Sequence, residues 1–206
     1  MIPAAELFVK AEDMLVEVLG RVRGDDWRIM LPPMVTVAGH PAARRRTVRQ
    51  AVGDHVREQM VVPDLLAGAT AVELPVGDVL GSDPQETVAR LSAGACAAVA
   101  KLVDGTAVVH APGGDRTTED YLWQLDVGRC WMAHDVAMYL GSRACPFPED
   151  LARAMWEHTA PDADRWRADG WFAPEPLPMP PDVSWRDRFL RTAGRDPHPA
   201  IHGHGH

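Results

Sequence analysis

A chain of 206 residues with 46% hydrophobic content suits one soluble globular domain with a sizeable core. Its formal net charge of −8 argues against a nucleic-acid surface, since the one basic run, Arg44-Arg45-Arg46, is only three residues long. No apolar stretch approaches the roughly 20 residues of a membrane span, and an N-terminus with acids inside it and no basic start does not read as a signal peptide.

The first predicted element is a helix over residues 4–22, where Leu7, Phe8, Ala11, Met14, Leu15, Val18, Leu19 and Val22 follow helical spacing. A loop through Pro32 and Pro33 leads to a second helix, capped by Thr47, stopped by Gly68 and bent near Pro63. The third opens at Asp83-Pro84 with Glu86 completing a capping box, and runs to about Val103. A short strand is expected over residues 105–110, ended by the Gly113-Gly114 turn. The fourth helix starts at Thr117 or Thr118 and stops at Gly141. It is apolar nearly all round, so most of its sides should be buried. A fifth helix covers residues 149–158. Beyond Phe172 the chain is Pro-rich and extended before a short helix, "WRDRFLRTAG". The fold class is therefore all-α: a four-helix bundle with an extended Pro-rich C-terminal segment and a short terminal helix. Residues 1–197 form one domain, and the His-rich residues 198–206 read as a disordered tail able to bind metals only loosely.

Several stretches, "TVRQAVGDHVREQMVVPDLLAG", "LGSDPQETV", "EDYLWQ", "HDVAMYLG" and "GWFAPEPLPMPPDVSWRDRFLRTAGRDP", occur in this order from Thr47 to Pro197. Together they resemble the DinB-like superfamily, in the branch related to the N-terminal domain of mycothiol-dependent maleylpyruvate isomerase. The resemblance implies a DinB-like bundle and a divalent metal held by a histidine of the second helix and by an acid and a histidine four residues apart on the fourth. It also implies chemistry of the isomerase or thiol-transferase kind.

Aligned without gaps, those ligand positions fall on Asp54, Gly128 and Met132. His55 lies one place late and His134 two places late. Two residues along a helix are about 200° of rotation, so His134 should point nearly opposite to Met132. The stripe Tyr121, Leu125, Gly128, Met132, Val136 and Tyr139 shares one face, with Cys130 and His134 on the other. The reading favours a family metal site that has been lost, with no cofactor. A shifted zinc or nickel site of His55, Cys130 and His134 is the alternative.

The candidate catalytic groups are His55, Asp54 and Asp135, as acid–base side chains, and Gly128, Met132, Tyr121, Leu125 and Val136 are the candidate pocket lining. A satisfied core histidine at His55, and structural hydrogen bonds at Asp54 and Asp135, are the plainer readings of the same residues. Glu58 and Gln59 read as partly solvated, and Met60, Met132 and Met138 as core filling. The three cysteines, Cys96, Cys130 and Cys145, at no zinc-like spacing, suit a reducing cytoplasm. The functional expectation is a cytoplasmic small-molecule enzyme of isomerase, cyclase or thiol-transferase type. A non-catalytic small-molecule binding or resistance protein and a metal-dependent transferase are the alternatives. The partner is a small molecule, with no nucleic acid and no membrane, and a homodimer is left open.

Overall fold

The computed structural model describes residues 2–31, 46–140 and 145–198. The protein is mostly helical and of the all-α class. Helix α1 (Pro3–Leu19) is followed by a 3-10 turn (Gly24–Arg28), α2 (Val48–Leu66), α3 (Pro84–Val99) and a hairpin of β1 (Val108–Ala111) and β2 (Gly114–Thr117). Then come α4 (Thr118–Tyr139), α5 (Glu149–Thr159), α6 (Ala163–Ala168) and α7 (Trp185–Thr192). The hairpin pairs Val108 with Thr117 and Ala111 with Gly114 in antiparallel register.

The helix starts follow the local chemistry. Thr47 accepts from the backbone N–H of Gln50, whose side chain in turn accepts from Thr47, a complete capping box. Asp83 caps the N–H of Glu86, Thr117 that of Asp120, and Ser184 that of Asp187. Helix α3 stops at Val99, four residues before the expected end, and β2 and α6 were not foreseen. The strand β2 carries Asp115 and Arg116 on an exposed hairpin and has no apolar alternation to announce it. Of the predicted loop and tail, residues 32–45 and 199–206 lie outside the described residues, as does the predicted stop at Gly141. His198, assigned to the tail, is instead held: its ring lies 2.9 Å from Asp187 Oδ2.

Four helices make the bundle. Helix α1 packs on α4 and on α3, and α3 packs on α2. The backbones of α2 and α4, which would close the ring, stay apart. Two apolar clusters fill the interior. One joins α1, the N-terminal half of α2 and the C-terminal half of α4 to Phe147, Leu151, Met155, Phe172 and Phe189 of the C-terminal segment. The other packs Phe8, Val62, Leu65, Ala95, Val99, Tyr121 and Leu122 at the opposite end. The C-terminal segment turns at Gly194, whose φ is +77° and where an added Cβ would meet Ala173 Cβ at 2.3 Å, so only glycine fits. That turn delivers Arg195 to the open seam.

Candidate functional site

A cavity of about 500 Å³ occupies the seam between α2 and α4. Helix α2 supplies Ala51, Asp54, His55 and Glu58, and α4 supplies Gln124, Leu125, Gly128, Arg129, Trp131 and Met132. The C-terminal segment roofs it with Asp169, Gly170, Trp171 and Arg195, and Arg46 stands beside the start of α2. A Cβ built on Gly128 would meet nothing within 4 Å, so the missing side chain is part of the open space.

Behind the cavity lies a buried polar network that draws on all four bundle helices. Glu12 of α1 is 1% exposed, accepts from the Ser92 hydroxyl of α3 at 2.6 Å, and pairs with Nε of Arg129 on α4. Its Oε1 lies 3.7 Å from Nε2 of His55 on α2, close enough for charge attraction though not for a hydrogen bond. Burial by itself would raise the Glu12 carboxyl. The Arg129 guanidinium, helped by the His55 ring and the Ser92 hydroxyl, overcomes burial and holds it well below the ordinary carboxylate range. His55 Nε2 is 3.3 Å from Gln59 Nε2, while Nδ1 has no hydrogen-bond partner among the described residues. Asp126, one turn before Arg129, is fully buried with neither carboxylate oxygen bonded, and burial pushes its pKa well above the ordinary value.

Of the residues nominated from sequence, Asp54, His55, Leu125, Gly128 and Met132 meet at this cavity. Asp54 is tied there by Arg46 at 2.5 Å and Arg57 at 2.7 Å, both ion pairs partly open to solvent. Asp135 does not face the cavity: its carboxylate lies 3.5 Å from Nε of Arg195, and it is Arg195 that forms the wall. Tyr121 and Val136 are also not in the lining. The stripe runs the full length of α4, but Tyr121 is covered by the cluster near the end of α2 and Val136 by the core next to the C-terminal segment. Of that face only the middle turns, with Leu125, Gly128 and Met132, line the cavity, while Tyr139 at its end is exposed to solvent. Gln59 is 2% exposed rather than solvated, because it packs beside His55, and Met60 is 38% exposed rather than core, being one position further round α2.

Glu12, Arg129 and Arg195 were missed. For Glu12 a signal existed: it sits four residues after Phe8 and three before Leu15, inside the apolar stripe of α1. Arg129 likewise interrupts a helix that is otherwise apolar on nearly every side, and a charge in such a place needs a buried partner.

Among the described residues, no three His, Cys, Asp or Glu side chains come together as a metal site. At the positions where the family resemblance implies ligands, Gly128 offers no donor and Met132 only a weak thioether. The shifted set is also dispersed. Cys130 is fully buried in the core, where burial raises its thiol pKa well above the ordinary value. His134 donates from Nε2 to the Asp196 carbonyl at 3.2 Å and accepts from Arg186 at 3.5 Å. Its donor atoms are committed to the C-terminal segment, away from His55. These residues do not fit the metal that the resemblance implies.

No known family, curated protein or solved structure matches this chain. The functional reading therefore rests on the geometry of the cavity and on the residues themselves.

Proposed function

We propose that this chain is a DinB-like bundle whose α2–α4 cavity takes a small organic molecule and acts on it as an isomerase, cyclase or thiol-transferase type of enzyme, by proton transfer through His55. The single observation that carries the reading is His55 itself. Its ring forms part of the cavity wall, Nδ1 has no partner among the described residues, and a buried carboxylate stands behind Nε2. A volume of about 500 Å³ is that of an ordinary small-molecule site. Ala51, Leu125, Trp131 and Met132 offer apolar surface to the body of the ligand.

The proton chemistry follows from the two faces of the ring. The Oε1 of Gln59 is buried without a partner. Turning that amide lets Oε1 accept from Nε2–H, which fixes the proton on Nε2 and leaves the Nδ1 lone pair for the ligand. When Nδ1 takes a proton from a bound molecule, the ring becomes cationic 3.7 Å from Glu12, whose negative charge stabilises it. Returning the proton to another atom of the ligand completes an isomerisation. No step requires a metal.

The test has two stages. A small-molecule library is screened by quenching of Trp131 and Trp171 fluorescence, comparing wild type with Gly128→Phe, which fills the cavity from its open wall. The expected result is ligands that bind wild type and not the variant. Turnover of those ligands is then followed by mass spectrometry, with His55→Gln lowering kcat by about 10²-fold or more. Binding without product in wild type would make the protein a binder, and full turnover in His55→Gln would remove the histidine from the mechanism.

A further inference from the structure

We infer that the molecule taken by this cavity carries a carboxylate, gripped by Arg129 and Arg195. The inference rests on the cavity being a ligand site, as proposed above, and adds the chemical class of what enters it. Two guanidinium groups, one from the middle of α4 and one from the C-terminal segment, line the same space, and they are built alike. Each has its Nε directed to a carboxylate behind it: Glu12 for Arg129, and Asp135, at 3.5 Å, for Arg195. Each is laid on an aromatic ring, Arg129 at 4.1 Å from the Phe8 centroid and Arg195 at 4.3 Å from that of Trp131. The side chains are only 2% and 9% exposed. A guanidinium so oriented keeps its terminal nitrogens for something else.

Those nitrogens have nothing to bond among the described residues. Nη2 of Arg129 and Nη1 of Arg195 are screened from solvent without a partner, whereas Nη1 of Arg129 and Nη2 of Arg195 keep accessible surface and also make no hydrogen bond among the described residues. Unpaired, desolvated N–H groups on a cation are costly to keep. An oxyanion in the cavity would accept from the accessible terminal nitrogen of each arginine in charge-assisted hydrogen bonds. The acidic groups of the cavity do not compete for this role. Asp54 is neutralised by Arg46 and Arg57, and Glu58 and Asp169 are exposed at the rim. With Leu125 and Met132 beside the arginines, the expected ligand is an organic monocarboxylate with an apolar body.

The full chain is titrated with phenylacetate and cinnamate, and with phenylacetamide and cinnamamide as neutral counterparts of the same shape, by tryptophan fluorescence and calorimetry. At least one carboxylate is expected to bind about tenfold or more tightly than its amide, as charge-assisted hydrogen bonds imply. Arg195→Gln is expected to abolish that preference, and Arg195→Lys to keep part of it because the charge stays while the planar fork is lost. Equal affinity of acid and amide would overturn the carboxylate anchor and leave the cavity as a ligand site. A preference that survives in Arg195→Gln and Arg195→Lys alike would overturn the assignment to Arg195. Failure of all four probes to bind at millimolar concentration, with wild type indistinguishable from Gly128→Phe, would overturn the anchor and the cavity reading together.

Discussion

His55 and His134 are both shielded from solvent, 6% and 2% exposed, yet their surroundings use them in opposite ways. His134 spends both ring nitrogens on the C-terminal segment, one on the Asp196 carbonyl and one on Arg186. It is a clamp between α4 and the chain that roofs the cavity. Burial, with Arg186 and Arg195 nearby, lowers its pKa to about 4 in spite of Asp135, so it stays neutral at physiological pH. His55 leaves one nitrogen without a protein partner at a cavity wall and has a carboxylate behind the other. Burial alone does not distinguish the two histidines; the partner of the second ring nitrogen, present at His134 and absent at His55 among the described residues, does.

The largest effect that tests this contrast concerns the polar network. Glu12→Gln leaves Arg129 buried without its carboxylate and is expected to cost about 3–5 kcal/mol, read by chemical denaturation. His134→Gln removes a neutral clamp and should cost less, about 1–3 kcal/mol. A reversed order would mean that the C-terminal clamp, and not the Glu12 network, holds the site together.

The pH dependence sharpens the same contrast. The ordinary histidine pKa is 6.5 and that of His134 in the fold is about 4, so the unfolded chain binds the additional proton between those values. The stability associated with neutral His134 is fully present above pH 6.5 and is lost as the pH falls towards 4, on the order of 3 kcal/mol in all. His158, lowered by burial, acts in the same direction. Glu12, held below the ordinary carboxylate range, contributes only as the pH drops past 4.5. In His134→Gln the slope between pH 6.5 and 4 should shrink without vanishing, as melting temperatures across that range will show. An unchanged slope would mean that His134 is not the group titrating.

Asp126 should give a smaller effect of opposite sign. Burial raises its pKa, so the folded protein keeps a proton that the unfolded chain releases above about pH 3.8, and stability falls as the pH rises through the folded value. Asp126→Asn removes that penalty and is expected to stabilise by about 1–3 kcal/mol at pH 7, with the gain disappearing near pH 3.8. Loss of stability at pH 7 would show that the carboxylate has a partner after all.

The smallest predicted change is at Gly128. Because its Cβ would meet open space, Gly128→Ala should stabilise α4 by about 0.5–1 kcal/mol through helix propensity alone, seen as a rise in Tm. A destabilised variant would mean that the seam at Gly128 is closed.

What the chain alone determined is what depends on near neighbours in sequence. Thr47, Asp83, Thr117 and Ser184 reach N–H groups three residues away, so their helix starts could be read directly. The 3.6-residue period similarly put Gly128 and Met132 on one face of α4 and Cys130 and His134 on another. Tertiary structure alone decided how much of that face stays open. The gap between α2 and α4 depends on which helices pack together, and Tyr121 and Val136 are closed off by residues far away in the chain. It also decided the partners of the charged groups: Glu12 meets Arg129 across 117 residues, and Asp135 meets Arg195. Helical periodicity says which way a side chain points, but a buried charge is stabilised by whatever the fold brings opposite it, and that choice is made between helices rather than along them.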